Sequence, residues 1–314
     1  MATDHPGGLT RDHVVWAYRL LLDRDPESDD VIGPKLAGSR DTRELRHHLI
    51  TSAEFREKNP DYAHTNASTI VIKELDGPGQ PRLFIDLSDH VIGLSIVRGA
   101  YERDETAFVR RTLRPGDIAI DVGAHIGFFT IHMAALVGAG GRVHAFEPFD
   151  RNADLLERSI AENRFQDRVT LHRAAVGAAS GRATLTFAEE TLNTGGAYLL
   201  RPGTAPLTGN AQRSVPVVAL DELPLPRPVR FLKLDVEGAE PQVLRGAGRL
   251  LREDRPVILT ELHPTQLERA SGVAAGEFLS TLEGYGYCAQ DLHGAPIERP
   301  PDSAIASIVL LPTG

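Results

Sequence analysis

Four short runs in this 314-residue chain put polar and charged side chains at the ends of apolar segments, where they can do chemistry. Asp121-Val122-Gly123-Ala124-His125-Ile126-Gly127 follows the strand-like Ile118-Ala119-Ile120 and leads into the apolar stretch Phe128 to Leu136. A strand that turns through glycines into a helix lets backbone N–H groups and the helix N-terminus approach a ligand closely. Glu147 follows the next strand-like run, where a carboxylate can accept hydrogen bonds from both hydroxyls of a ribose. Two later runs end in Lys233-Leu234-Asp235-Val236-Glu237 and Glu261-Leu262-His263.

The glycine pattern narrows the ligand. A nicotinamide dinucleotide site calls for Gly-x-Gly-x-x-Gly, whereas this loop reads Gly-Ala-His-Ile-Gly. His125 stands where a middle glycine would let the backbone approach a pyrophosphate. A cofactor without phosphates, S-adenosylmethionine, fits better. Methyl transfer to a hydroxyl then needs in-line approach and a group to take the proton, for which Asp235, Glu237 and His263 are candidates, with Lys233 beside them. Asp235, Glu237, Glu261 and His263, carboxylates with one imidazole, could also form a site for a hard divalent metal such as Mg²⁺ or Mn²⁺, but their spacing matches no dedicated metal motif, so a divalent metal is not favoured and no ligand is assigned.

Taken together, Asp121 to Gly127, His144-Ala145-Phe146-Glu147-Pro148, Ala174-Ala175-Val176-Gly177 and Lys233 to Glu240 resemble the FkbM-type S-adenosylmethionine-dependent methyltransferases, over a span from Tyr101 to His263. The resemblance implies an α/β class I methyltransferase (Rossmann-like) fold, with a seven-stranded, mostly parallel sheet whose last strand is antiparallel. It implies O-methylation of a sugar, glycan or natural-product hydroxyl. The cofactor contacts it implies are Asp121, Gly123, Ala124, His125, Gly127, Glu147, Ala174, Ala175 and Asp235. His125 departs from the family pattern, where asparagine is more usual. Separately, Ala17 to Pro26 and Ser52-Ala53-Glu54-Phe55 resemble a helical module appended to bacterial glycosyltransferases and other carbohydrate enzymes, which tilts the acceptor toward glycans or glycosylated metabolites.

The elements that must position these residues can be read from periodicity. Thr10 is a fitting N-cap for a helix with Val14, Val15, Tyr18, Leu21 and Leu22 on one face, and Leu45, Leu49, Ile50 and Ala53 mark another. Residues 1–65 are expected to form this small helical module and 66–314 the methyltransferase domain. Strands are expected at Thr69–Ile72 and Leu83–Leu87. From Ile118 onward strands and helices alternate, which implies a parallel sheet covered on both faces. One helix is expected from Pro241 to Leu251. The run Glu189 to Pro228, rich in Gly, Pro, Thr and Asn, reads as a long loop, and Asn193-Thr194-Gly195-Gly196 within it as a lid. His47 and His48 fall on a solvated helix face and take no role.

Bulk properties set the remaining bounds. A net charge of −9 argues against broad binding to nucleic acid or anionic membranes. Cys288 is the single cysteine, so neither an internal disulfide nor a multi-cysteine metal site can form, which suits a reducing compartment. No apolar run reaches membrane-spanning length and the first ten residues lack a signal-peptide core, so the cytoplasm is expected. The partner is a small-molecule or carbohydrate acceptor, and a homo-oligomer is compatible with the sequence. The competing readings are a nicotinamide-dependent oxidoreductase, disfavoured by the glycine pattern and the lack of a Tyr-x-x-x-Lys pair, an N-methyltransferase, and a non-catalytic cofactor-binding module.

Overall fold

A computed structural model of the chain describes residues 9–39, 42–59, 69–89, 92–188, 196–201, 203–207, 210–297 and 305–313, and divides into two units, 1–69 and 70–314. In the first unit, α1 (Arg11–Leu22) buries Val14, Tyr18 and Leu22, the stripe that four-residue spacing dictates. α2 (Asp29–Ala37), α3 (Thr42–Ile50) and α4 (Ala53–Lys58) close around it with Ile32, Leu45, Leu49 and Phe55. α2 escapes sequence reading because Gly33 and Pro34, two helix breakers, sit in its middle. Arg24 grips Glu54 through two N–H···O bonds of 2.5 and 2.6 Å and lies over the Tyr18 ring.

The second unit opens with the antiparallel pair β1 (Ile70–Glu74) and β2 (Arg82–Asp86), then α5 (Ile92–Val97) and α6 (Arg103–Thr112). Strand and helix then alternate through β3 (Ile118–Val122), α7 (Phe128–Val137), β4 (Arg142–Phe146), α8 (Asp150–Glu162) and β5 (Val169–His172). Four strands interrupt: β6 (Ala175–Val176), β7 (Gly181–Ala188), β8 (Tyr198–Leu199) and β9 (Asn210–Val218). The alternation resumes with β10 (Val229–Leu234), α9 (Glu240–Arg245), α10 (Gly248–Glu253), β11 (Val257–Leu262), α11 (Pro264–Ser271), α12 (Ala275–Gly284), β12 (Tyr287–Asp291) and β13 (Ala306–Pro312).

The main sheet has seven strands in the order β12-β13-β11-β10-β3-β4-β5. β13 runs antiparallel to both β11 and β12, and the other neighbours are parallel. This is the class I methyltransferase arrangement expected from the motifs. Because side chains alternate along a strand, β3 sends Ala119 to the face covered by α6, α7 and α8, and Ile120 and Val122 to the face covered by α9 to α12. Among the described residues no helix is long and apolar enough to cross a membrane.

Two expectations are corrected. The run from Glu189 to Pro228 is not a structureless loop: β8 and β9 lie in it and join β6 and β7 in a second, four-stranded sheet ordered β6-β9-β7-β8. β9 buries Val215 and Val217 in alternation with the exposed Ser214 and Pro216, a period-two signal hidden by the surrounding prolines and glycines. The helix expected from Pro241 to Leu251 is two helices. Gly246 separates them with its Cα packed on the Gly177 carbonyl oxygen, where no Cβ fits.

Candidate active site

A cavity of about 340 Å³ opens beyond the carboxyl ends of β3, β4, β10 and β11, where an open α/β sheet places its ligands. Its floor is the β3–α7 loop. Gly123 has φ +83°, and a Cβ there would collide with the Asp235 carbonyl oxygen. Gly127, at φ +92°, packs on Leu156 in the same way. The N–H groups of Gly123 and Ala124 both donate to the Phe146 carbonyl at 3.0 Å, and His125 N–H donates to Glu147 Oε2 at 2.8 Å. The loop is thus tied across to the end of β4. His125 itself adopts φ +52°, and burial pulls its imidazole down to about 4.

Glu147 lines the cavity, with its other oxygen accepting from Phe149 N–H at 2.8 Å. Burial raises its carboxyl to about 7, against the hydrogen bonds from Phe149 and His125. Gly123, His125, Ala175, Asp235 and Glu237 line the cavity with it. Ala124, Gly127 and Ala174, also expected as contacts, do not.

Asp121 and Lys233 are corrected in the same direction. They are register partners on β3 and β10, and both point to the α7 side of the sheet, one step out of phase with the cavity. Asp121 is 1% exposed; Thr130 Oγ1 donates to its Oδ2 at 2.6 Å, while its Oδ1 has no partner among the described residues. Lys233 Nζ lies 4.5 Å from the centre of the Phe129 ring and donates to Asp235 Oδ2 at 2.8 Å. Burial works against its charge, but Asp235, Glu102 and Asp121 outweigh that and hold it above the ordinary lysine range. A permanently charged ammonium takes no proton, so Lys233 positions Asp235 rather than acting as a base.

His263 also stands outside the cavity. It stands at the N-cap position of α11 without a side-chain cap bond, Pro264 opens the helix after it, and its Nδ1 is buried without a hydrogen-bond partner among the described residues. His263 therefore does not join Asp235, Glu237 and Glu261, which line the cavity, and among the described residues no three His, Cys, Asp or Glu side chains are arranged to hold one metal ion.

Instead the cavity gathers Glu237 and Glu261 with Tyr101, Glu102 and Gln266, the last three unmarked by any sequence motif. Glu237 adopts φ +55°, and Gln266 Nε2 donates to its Oε2. Burial, then Asp235, Glu261 and Glu240, raise Glu237 to about 8. Burial likewise raises Glu102 to about 7, with Lys233 opposing. Leu185, Ala197 and Leu199 of the second sheet supply an apolar wall, joined by Gly196. The rest of the expected lid, Asn193 to Gly195, lies outside the described residues.

Residues 121–288, just over half of the chain, match the family described as the methyltransferase FkbM domain. The chain belongs to the FkbM methyltransferases. It is therefore an S-adenosylmethionine-dependent enzyme, and the nicotinamide reading falls away. A similar protein is the 31-O-demethyl-FK506 methyltransferase FkbM of Streptomyces tacrolimicus, 29% identical over 202 residues that cover 56% of this chain and 74% of that one. Among solved structures, methyltransferase FkbM from Methylobacillus flagellatus is 17% identical with a TM-score of 0.41, covering 95% of this chain and 58% of that one. An S-adenosylmethionine-dependent O-methyltransferase from Thermotoga maritima is 16% identical with a TM-score of 0.40, covering 68% and 66%. In this FkbM methyltransferase the family match begins at Asp121, so α5 and α6, which bring Ile92, Tyr101 and Glu102 to the cavity, precede it.

Proposed function

We propose that this FkbM methyltransferase methylates a hydroxyl oxygen of a small molecule, a sugar, glycan or natural product, with Glu237 as the proton acceptor. The observation that carries the reading is the Glu237 carboxyl itself. It lines the cavity, is held by Gln266, and has the proton affinity of a base that works near neutral pH. Its left-handed backbone is the kind of local strain that persists where geometry serves a site.

The cavity suits the methyl donor by charge. Glu102, Glu147, Asp235, Glu237 and Glu261 line it and Lys233 stays behind the wall, so a bound cation draws the raised carboxyls into their charged form, whereas a pyrophosphate meets no cationic side chain. When bound, S-adenosylmethionine supplies a methyl group on a positively charged sulfonium. Glu147, with lone pairs left after its two backbone bonds, would accept hydrogen bonds from ribose hydroxyls. Asp235, fixed by Lys233, would face the donor's positive groups. Leu185 and Leu199 exclude water on the opposite side. The Streptomyces tacrolimicus relative, whose name places its methyl on an oxygen, supports oxygen as the acceptor atom. The resemblance of the first helices to modules of carbohydrate enzymes supports a sugar-bearing acceptor, and a free, exposed Cys288 suits the cytoplasm.

The test pairs Glu237→Gln with calorimetry. S-adenosylmethionine should bind the variant within a few-fold of the parent, while methyl transfer to a hydroxylated acceptor falls by about a hundredfold or more. Unchanged turnover would remove Glu237 from the chemistry.

A further inference from the structure

A second cavity, of about 310 Å³, lies between β1, α5, α6 and the start of α7, and Tyr101 lines both it and the first. The two are opposite in charge. The first is walled by carboxylates. The second carries Lys73, Arg103 and Arg110 on its rim against Glu74 and Asp76. Glu74 is engaged by Arg82 at 3.3 Å, and Arg110 donates to the Asp76 backbone carbonyl. Lys73 and Arg103 have no ion-pair partner among the described residues. With Glu74 taken by Arg82, the cations Lys73, Arg103 and Arg110 outnumber the remaining carboxylate, Asp76, on this cavity.

The floor of this cavity is aromatic. Tyr101 meets Phe128 edge to face, with centroids 5.1 Å apart, and Phe128 meets His132 at 4.8 Å. Burial, with Arg110 adding to it, lowers the His132 imidazole to about 4, so the ring is neutral and can accept a hydrogen bond. Aromatic rings below and polar groups at the rim suit a hydroxylated ring, and the cations suit an acid group on it. Size points the same way. At about 340 Å³ the first cavity lies at the small end of single-ligand pockets, so a donor that fills it leaves the bulk of an acceptor to be held elsewhere.

We propose that the cavity behind Tyr101 anchors the acid group of the acceptor, making the substrate a hydroxylated ring compound that bears a carboxylate or a phosphate. This deepens the reading of the active site and rests on it. The acid group of the acceptor is thereby held in the second cavity while its hydroxyl reaches past Tyr101, which lines both, to Glu237 and the donor in the first.

Calorimetry on the full chain, with and without saturating S-adenosylhomocysteine, tests the site using glucuronate, glucose 6-phosphate and glucose as probes. At least one of the two acids should bind saturably and about tenfold or more tightly than glucose; which one binds tells carboxylate from phosphate. The double change Lys73→Ala, Arg103→Ala should weaken that acid about tenfold or more, with S-adenosylhomocysteine affinity unchanged as the check on folding. The imidazole resonances of His132 should move when the acid is added. Acids that bind no better than glucose, or equally well to the double variant, overturn the proposal. Failure of S-adenosylhomocysteine to bind overturns the donor site instead, and acid binding to the unloaded chain still decides this one.

Discussion

Lys233→Met keeps a side chain of similar length against Phe129 and removes only the charge. At the 2.8 Å separation of Lys233 and Asp235 the gross attraction is about 6 kcal/mol at an effective dielectric near 20. Burying the ammonium gives most of that back, so the loss is governed by what stays behind. Asp121 is buried with one oxygen already unpartnered, and Glu102, half-buried, also acts on the Lys233 charge. Removing one partner of a buried pair costs about 3–5 kcal/mol. Asp235, at 30% side-chain exposure, can recruit water, which places the expected loss near the lower end. The sign of the pH dependence follows from Asp121, whose carboxyl burial already raises. Without Lys233 it rises further, so the variant keeps more of its stability at low pH and loses it as pH climbs. Urea unfolding followed by circular dichroism at about pH 5 and about pH 8 should show the gap to the parent widening with pH. Adding Asp121→Asn to Lys233→Met should recover at least about 1 kcal/mol. A loss under about 1 kcal/mol at the higher pH, or a gap independent of pH, would refute the buried-network argument.

Gly123→Ala forces a Cβ into the Asp235 carbonyl at a positive φ, and should cost about 2–4 kcal/mol in unfolding free energy and abolish S-adenosylhomocysteine binding; a variant that unfolds and binds like the parent would show the loop is not held as described. Glu147→Gln turns an amide NH₂ toward one of two backbone N–H donors, so S-adenosylhomocysteine should bind about tenfold or more weakly to a chain that still shows the parent's circular dichroism. Unaltered affinity would place the ribose elsewhere. If Glu237 is the base, turnover should rise with pH toward a plateau above about 8. Its folded proton affinity is raised, so its contribution to stability is present below about 4.5 and is lost as pH rises through about 8. Glu237→Gln should flatten both profiles, and a surviving alkaline limb in turnover would name another base.

Period-two and period-four spacing in runs such as Ile118–Val122 and Asp150–Asn163 made the alternating core legible, and the glycines at 123 and 127 marked the loop. The same alternation explains two of the site residues that fall outside the cavity. Asp121 and Lys233 belong to strands whose odd positions face α7, a parity that motif spacing alone does not reveal. Glu102 and Gln266 are illegible for a different reason: each reaches the cavity from the first turn of a helix, where a polar residue ordinarily serves the helix end alone. The second sheet was missed because Pro216 and the nearby glycines obscured the alternation of β9.

β13 follows β12 in the chain yet lies between β12 and β11, pairing with both. β12 therefore emerges from the ribosome with no strand to join, while β11, which carries Glu261, is left as an exposed edge. Both wait for the same seven residues, Ala306–Pro312, to arrive. In that interval the enzyme presents two unpaired strand edges to its neighbours, and changes that slow the arrival of β13 will show first as aggregation during synthesis, before any effect on methyl transfer.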